Sequence, residues 1–466
     1  MIFSSVTFLF FFLPLFLLAY FAPSGIAARN WVILVASLLF YAWGEPWFVL
    51  VLLGSIAFNA WAALVIDCRA GPARGRALLL AVAVNLALLG LFKYAGFVTE
   101  NLAAVMAPLG VGLPRVDLPL PLGISFFTFH ALSYLIDVHR RRFPANRDPV
   151  EVALYIALFP QLVAGPIVRY RTVARQLRRR RHTLGRASAG ARMAVIGLAQ
   201  KVLIADQLAP LAEAVFDRTA NPSAVDAWLG LLAYTLQIYF DFAGYSAIAI
   251  GLGLVLGFSL PRNFALPYTA LSVTEFWRRW HISLSSWLRD YLYIPLGGSR
   301  GGPLATYRNL VTVFLACGLW HGAGWTFLLW GAWHGAFLVL ERAVGAERTS
   351  RCPGPLRWIY TMAAVMGGWV LFRATDLERT GVVCRALLGL GDRHGLSFET
   401  HLALRPTALL ALVAGCLIAT LPRWIRLPTT GHLAAAADTG LIFGLLALSL
   451  LTVAAGTYSP FLYFRF

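Results

Sequence analysis

The chain has 466 residues, 59% of them hydrophobic and 13% charged, with a mean hydropathy of +0.71. A soluble domain carries about 25% charged residues, so this composition excludes an ordinary soluble enzyme and reads as a polytopic membrane protein. A net charge of +18 would suggest nucleic acid for a soluble protein; here the arginines are expected to mark the cytoplasmic side of a membrane, and no nucleic-acid partner is expected.

Apolar runs long enough to cross a bilayer, about 20 residues, fall at about 3–22, 30–66, 77–95, 118–137, 192–216, 227–258, 305–341, 356–373, 406–421 and 436–457. The longest hold two crossings, which gives eleven or twelve segments in one all-α polytopic integral-membrane domain, 1–466. The first run, SSVTFLFFFLPLFLLAYFAP, has no basic residue before it and no clear small-residue cleavage site behind it. It is expected to be retained as the first helix, with the mature protein starting at Met1.

With the amino terminus outside, Arg29, the stretch Arg69 to Arg76, and the stretch His139 to Arg142 all fall inside. The opposite orientation breaks the positive-inside rule at all three places. Residues 139–192 hold 13 of the 39 basic residues, and between their two clusters lies EVALYIALFPQLVAGPIVRY. A single crossing would put one cluster outside, so residues 150–168 are expected to dip into the membrane and return, with Pro160, Gly165 and Pro166 as the breaks. Irregular backbone at membrane depth survives only where protein or water covers it. The alternative is an ordinary spanning helix with an arginine loop tolerated outside.

The segment EFWRRWHISLSSWLRDYLY, 275–293, crowds three arginines, two acids, a histidine and six aromatic rings into this apolar chain. On a helix at 100 degrees per residue, Trp277, His281, Leu284, Leu288 and Tyr291 share one stripe, and Arg279, Ser283, Ser286 and Asp290 another. It suits an interfacial or re-entrant helix lining a polar passage. Loops are expected around 343–355 and 390–405. The five cysteines form no CxxC or metal-like spacing, so neither a disulfide framework nor structural zinc is expected.

Ionisable residues inside a membrane are costly and are functional candidates by default. His321, in CGLWHGAGWTFLLWGAWHG, is flanked by Trp320 and Trp325 and by glycines that allow close approach. A neutral imidazole in apolar surroundings suits a general base; a histidine hydrogen-bonded to a neighbouring helix fits the spacing equally well. His334 lies 13 residues on, which on a continuous helix is about 220 degrees and about 20 Å away. The two should share a pocket only if the helix breaks at Gly322 to Gly324, and His334 reads as structural or at a membrane surface. With no HExxH and no carboxylate at ligand spacing, metal catalysis is rejected. Asp241, in QIYFDFAGYS, needs a partner or water; it either orients an arginine or a histidine or belongs to a structural ion pair. GLGLVLG at 251–257 reads as close helix packing, since no strand precedes it.

Together these motifs resemble the membrane-bound O-acyltransferase family, and within it the bacterial membrane proteins that O-acetylate alginate and other exported polysaccharides. The resemblance rests on YAWGEPWF, PLGISFFTFHALSYLIDVHR, FPQLVAGPIVRY, QIYFDFAGYSAIAIGLGLVLGF, NFALPY, the 275–293 segment with IPLGG, and LWHGAGWTFLLWGAWHG. It runs from residue 4 to about 340 and thins over 341–466. The family's two signature positions fall on His321 and, forty residues earlier, His281. The resemblance implies acyl transfer from a cytoplasmic thioester, acetyl-CoA, with no permanently bound cofactor. His321 would act as general base and His281 would orient the donor or stabilise the oxyanion. Trp320, Trp277, Trp325, Arg279 and Asp241 are expected on the substrate side, Arg279 facing donor phosphates. The implied setting is the bacterial inner membrane, with a polysaccharide or a periplasmic acetyltransferase partner outside and a tunnel walled by 150–168 and 275–293. A glycan or lipid transporter or a scaffold would be the rival classes; a transporter would tolerate loss of His321.

Overall fold

The computed structural model describes residues 1–114, 116, 118–163, 165–420 and 432–456. Residues 421 and 457, at the ends of two apolar runs, and Ala164 in the expected re-entrant segment lie outside the described residues. The elements are α-helices joined by loops, with no β-strand among the described residues. In chain order they are α1 (Leu13–Phe21, entered by a π-helical turn Thr7–Phe12), α2 (Ile26–Gly44), α3 (Phe48–Cys68), α4 (Gly71–Met106), α5 (Ile124–His139), α6 (Pro149–Ala157), α7 (Phe159–Leu162) and α8 (Tyr170–Arg178). There follow α9 (Leu184–Ala199), α10 (Asp206–Glu213), α11 (Ala224–Val255), α12 (Val273–Arg279), α13 (Ile282–Leu288), α14 (Gly302–His321) and α15 (Trp325–Val344). The last are α16 (Ala346–Ser350), α17 (Gly354–Arg373), α18 (Leu377–Leu387), α19 (Phe398–Ala403), α20 (Pro406–Thr420) and α21 (His432–Ala454).

Among the described residues, six stretches are long and apolar enough to cross a membrane: Ile26–Gly44, Phe48–Cys68, Gly71–Leu109, Leu184–Arg218, Ala224–Val255 and Ala437–Ala454. Thr7–Phe21 and Pro406–Thr420 are shorter apolar helices. Large apolar side chains on α1 to α4, such as Leu15, Leu39 and Leu79, stand exposed, as a lipid-facing surface requires. The run 30–66 divides at Glu45, which precedes Pro46 and leaves the helical region (φ −141°), because a proline crowds the residue before it. The run 118–137 becomes helical only at Ile124, after Pro119, Pro121 and the left-handed Gly123.

The chain forms two compact units, Met1–Ala194 with Ile248–Pro261, and Val195–Ala247 with Arg262–Phe466. In the first, α3 and α4 are joined by paired amides, Asn59 and Asn85, each donating to the other at 3.1 and 2.8 Å. Residues 150–168 break as the prolines and glycine suggested: α6 stops at Ala157, α7 is a single turn, and Gly165 folds back onto the Pro160–Gln161 backbone where a Cβ would not fit. The Val168 amide donates to His130 Nε2 of α5 at 3.2 Å, and the Tyr155 hydroxyl donates to the His130 and Val168 carbonyls. Within the GLGLVLG run, Gly251 meets the Gly190 backbone with no room for a side chain on either, so the two helices cross at backbone contact.

In the second unit α14 and α15 form an antiparallel hairpin, with α12 and α17 packed on α15. A Cβ on Gly318 would strike the Phe327 carbonyl and one on Gly331 the Phe314 carbonyl. The hairpin is therefore as tight as backbone allows.

Candidate active site

The 275–293 segment is not one helix. Ser272 Oγ accepts from the Glu275 amide at 3.0 Å, and Glu341 of α15 accepts from the Val273 and Thr274 amides at 2.6 and 2.8 Å. These bonds satisfy the amides that open α12. The helix ends at Arg279, Trp280 is extended, and His281 is left-handed (φ 43°, ψ 54°) before α13 begins. Histidine is enriched among the non-glycine residues that adopt this conformation. Asn263 and Ala265 bracket the corner: the Ile282 amide donates to the Asn263 carbonyl at 2.9 Å and the Ala265 amide to the Arg279 carbonyl at 3.0 Å. The expected continuous helix is thus corrected to two short helices and a corner, while Trp277, His281, Leu284, Leu288 and Tyr291 are all buried as the stripe foretold. The corner turns the His281 ring, 0% exposed, onto Phe242 at 4.6 Å between centroids, edge to face, with Trp320 at 6.0 Å.

His321 is the last residue of α14, 3% exposed. Gly322 and Gly324 are extended and α15 starts at Trp325. The His321 ring meets Trp320 at 4.9 Å, Trp330 at 5.0 Å and Phe372 at 5.1 Å, each near perpendicular. Trp320 therefore touches both His281 and His321. The two signature positions, forty residues apart in the sequence, converge on one indole.

The break at Gly322 to Gly324 also decides His334. It is fully buried and packs on Trp330 at 5.1 Å, the ring that His321 contacts from the other helix. The Trp277 Nε1–H donates to His334 Nδ1 at 3.4 Å; with Nδ1 accepting, a neutral ring carries its proton on Nε2, which faces Gly368. Trp277 is thus a neighbour of His334. Arg279 is engaged by protein, donating to Glu275 at 2.7 Å, the Ala265 carbonyl at 3.2 Å and Thr269 at 3.3 Å. Trp325 stands 54% exposed at the start of α15.

Asp241 belongs to a buried ion-pair cluster. Lys201 Nζ lies 2.7 Å from Asp241 and 2.6 Å from Asp206, and the next residue, Phe242, bears on His281. Lys201 lies in the π-helical stretch Gln200–Ala205, and a π turn aligns residues five apart. That is why 201 and 206 meet, and why a search at spacing three or four misses the pair. Trp330 and Phe372 were also missed. Trp330 is one helical turn before His334 and was findable from that spacing; Phe372 comes from α17 and carries no local signal.

A buried imidazole at a helix end, walled by indoles, is shielded from water and can exchange a proton with a bound hydroxyl. The sequence profile of the membrane-bound O-acyltransferase family matches residues 7–379. The probable alginate O-acetylase of Azotobacter vinelandii is 42% identical over 503 aligned positions covering 100% of both chains. That of Pseudomonas aeruginosa is 47% identical, covering 84% of this chain and 75% of its own. The peptidoglycan O-acetyltransferase of Helicobacter pylori is 38% identical, covering 84% of this chain and 80% of its own. A match over most of the chain, with relatives at this identity, shows that the protein is an O-acyltransferase of the membrane-bound O-acyltransferase family.

Proposed function

We propose that this O-acyltransferase moves an acetyl group from acetyl-CoA on the cytoplasmic side to a hydroxyl outside, for O-acetylation of an exported polysaccharide such as alginate. The observation that carries the reading is the convergence of His281 and His321 on Trp320; the names of the relatives support the acceptor class.

His321 takes the proton from the acceptor hydroxyl as its oxygen attacks the thioester carbonyl. The new C–O bond forms, the C–S bond breaks, and the imidazolium returns its proton to the departing thiolate. His281 orients the donor carbonyl or steadies the oxyanion. Trp320 holds the two rings in register, while Trp330, itself packed on His334 and Trp277, braces His321. Asp241 acts through Lys201 and Phe242 on the placement of His281, and Trp325 and Arg279 flank the approach. The acceptor is a sugar hydroxyl or a serine on a periplasmic partner.

The test is transfer of label from acetyl-CoA, supplied to inside-out vesicles, by wild type and by His321→Ala at matched folded amounts. Loss of a general base lowers the rate by about 10²–10⁴. Equal transfer by both proteins would remove His321 from the chemistry; no transfer by wild type with acceptor and partner supplied would remove acetyl-CoA as donor.

A further inference from the structure

The arginine run 178–181 holds four similar side chains in different surroundings. Arg178 donates to Glu151 at 2.9 and 3.0 Å, and Arg179 and Arg181 are exposed. Arg180 is 8% exposed, and its partners are all neutral. Its Nη1 donates to Asn30 Oδ1 at 2.7 Å and to the Gln176 carbonyl at 3.2 Å, its guanidinium lies 4.5 Å over the Phe258 ring, and the Tyr20 hydroxyl sits beside it. Its Nε and Nη2 make no hydrogen bond of ordinary length.

Two more guanidiniums gather with it around His182. Arg29 donates to the Pro23 carbonyl at 2.8 Å and to His182 Nδ1 at 3.1 Å, and Arg186 donates to the Gly257 carbonyl at 3.1 Å and Ser259 Oγ at 2.9 Å. Arginine only donates, so His182 Nδ1 accepts and Nε2–H is left to donate to the Tyr20 hydroxyl oxygen at 2.8 Å and the Leu256 carbonyl at 3.2 Å. The ring is neutral, its pKa held down by burial and by the neighbouring arginines.

No carboxylate answers this charge. Among the described residues Arg29, Arg180 and Arg186 have no ion-pair partner. The nearest negative charge is about half a unit at the C-terminal end of α11, whose Leu256 carbonyl accepts from the Tyr20 hydroxyl at 2.7 Å. Against it, α2 and α9 carry Arg29 and Arg186 in their first turns with no acid there, adding partial positive charge at both helix starts. A buried arginine without counter-charge is strongly unfavourable. Beside the cluster, Leu15, Leu18 and Phe21 of α1 and Trp31 and Val35 of α2 stand exposed, with Arg29 over the Tyr20 and Phe21 rings at 5.5 and 5.7 Å. Positive charge adjoins lipid-facing apolar surface.

We propose that Arg29, Arg180 and Arg186 bind the phosphate of an anionic phospholipid from the leaflet facing the arginine-rich loops. The apolar flanks of α1 and α2 favour a lipid source over the phosphates of a soluble nucleotide, which share the chemistry.

Full-length protein is compared in phosphatidylcholine nanodiscs with and without phosphatidylglycerol, reading the unfolding midpoint and the phosphatidylglycerol retained per protein. Wild type gains midpoint with phosphatidylglycerol. Arg29→Gln and Arg180→Met each retain about fivefold less, the factor for one basic residue at an anionic surface, and lose the gain; Arg179→Gln, outside the cluster, behaves as wild type. In phosphatidylcholine alone Arg180→Met is at least as stable as wild type, because an uncompensated charge has gone. The proposal is overturned if the cluster variants respond to phosphatidylglycerol as wild type does. It is equally overturned if inorganic pyrophosphate or acetyl-CoA raises the midpoint while phosphatidylglycerol does not. Should Arg180→Met fail to fold, the half-exposed Arg29→Gln and Arg186→Gln decide the matter by the same two readouts.

Discussion

At the scale of single residues, the ring chain His321, Trp330, His334, Trp277 depends on backbone that leaves no slack. A Cβ on Gly368 would come within 2.5 Å of His334 Nε2, and the imidazole is pinned by Trp277 and Trp330. Gly368→Ala should therefore destabilise by about 1–3 kcal/mol, as overpacking does. Gly381→Ala, with nothing within 4 Å of the new methyl, should instead be stabilising by about 0.5–1 kcal/mol through helix propensity. Denaturation midpoints in detergent compare the two; equal effects would mean that the His334 ring yields freely. His321 and His281 were legible as residues because charge and imidazole stand out in an apolar sequence. Their convergence was not, since it depends on the left-handed backbone at His281 and on Phe242 and Trp320 from other helices.

At the scale of elements, two devices hold the site's helices. Glu341 of α15 caps α12 through the Val273 and Thr274 amides and the Thr274 hydroxyl. Glu341→Gln keeps the shape but weakens these charge-assisted bonds, so a loss of about 1–2 kcal/mol and slower acyl transfer are expected; unchanged rate and midpoint would show that α12 needs no such cap. The second device is the Asp206–Lys201–Asp241 cluster. Lys201→Met removes the cation shared by two buried carboxylates, a change worth about 3–5 kcal/mol, whereas Asp241→Asn leaves Lys201 with Asp206 and should cost clearly less. The order of the two midpoints is the check, and the reverse order would mean that Asp241 has the dominant role. Apolar run lengths anticipated most helices. They did not anticipate the π stretches or the corner at 280–281, because those arise where side chains and backbone from elsewhere satisfy a broken ladder.

At the scale of the whole molecule, arginine placement predicts an amino terminus outside, an expectation that labelling tests. In that orientation Cys68, exposed at the end of α3 beside Arg69, would face the cytoplasm. In a variant whose only cysteine is Cys68, a membrane-impermeant maleimide should label inside-out vesicles and not intact cells; labelling of intact cells alone would reverse the topology. Composition, the apolar runs and the order of motifs by themselves determined a helical membrane protein and its O-acyltransferase family, because hydropathy is a sum over local residues and a motif is a local string. Tertiary structure alone decided that His334 shares Trp330 with His321, that Asp241 answers Lys201 and not an arginine, and that Arg180 is buried apart from its three neighbours in the run. Each of these depends on contacts between residues far apart in the chain, and local pattern carries no information about which distant side chain fills a given space.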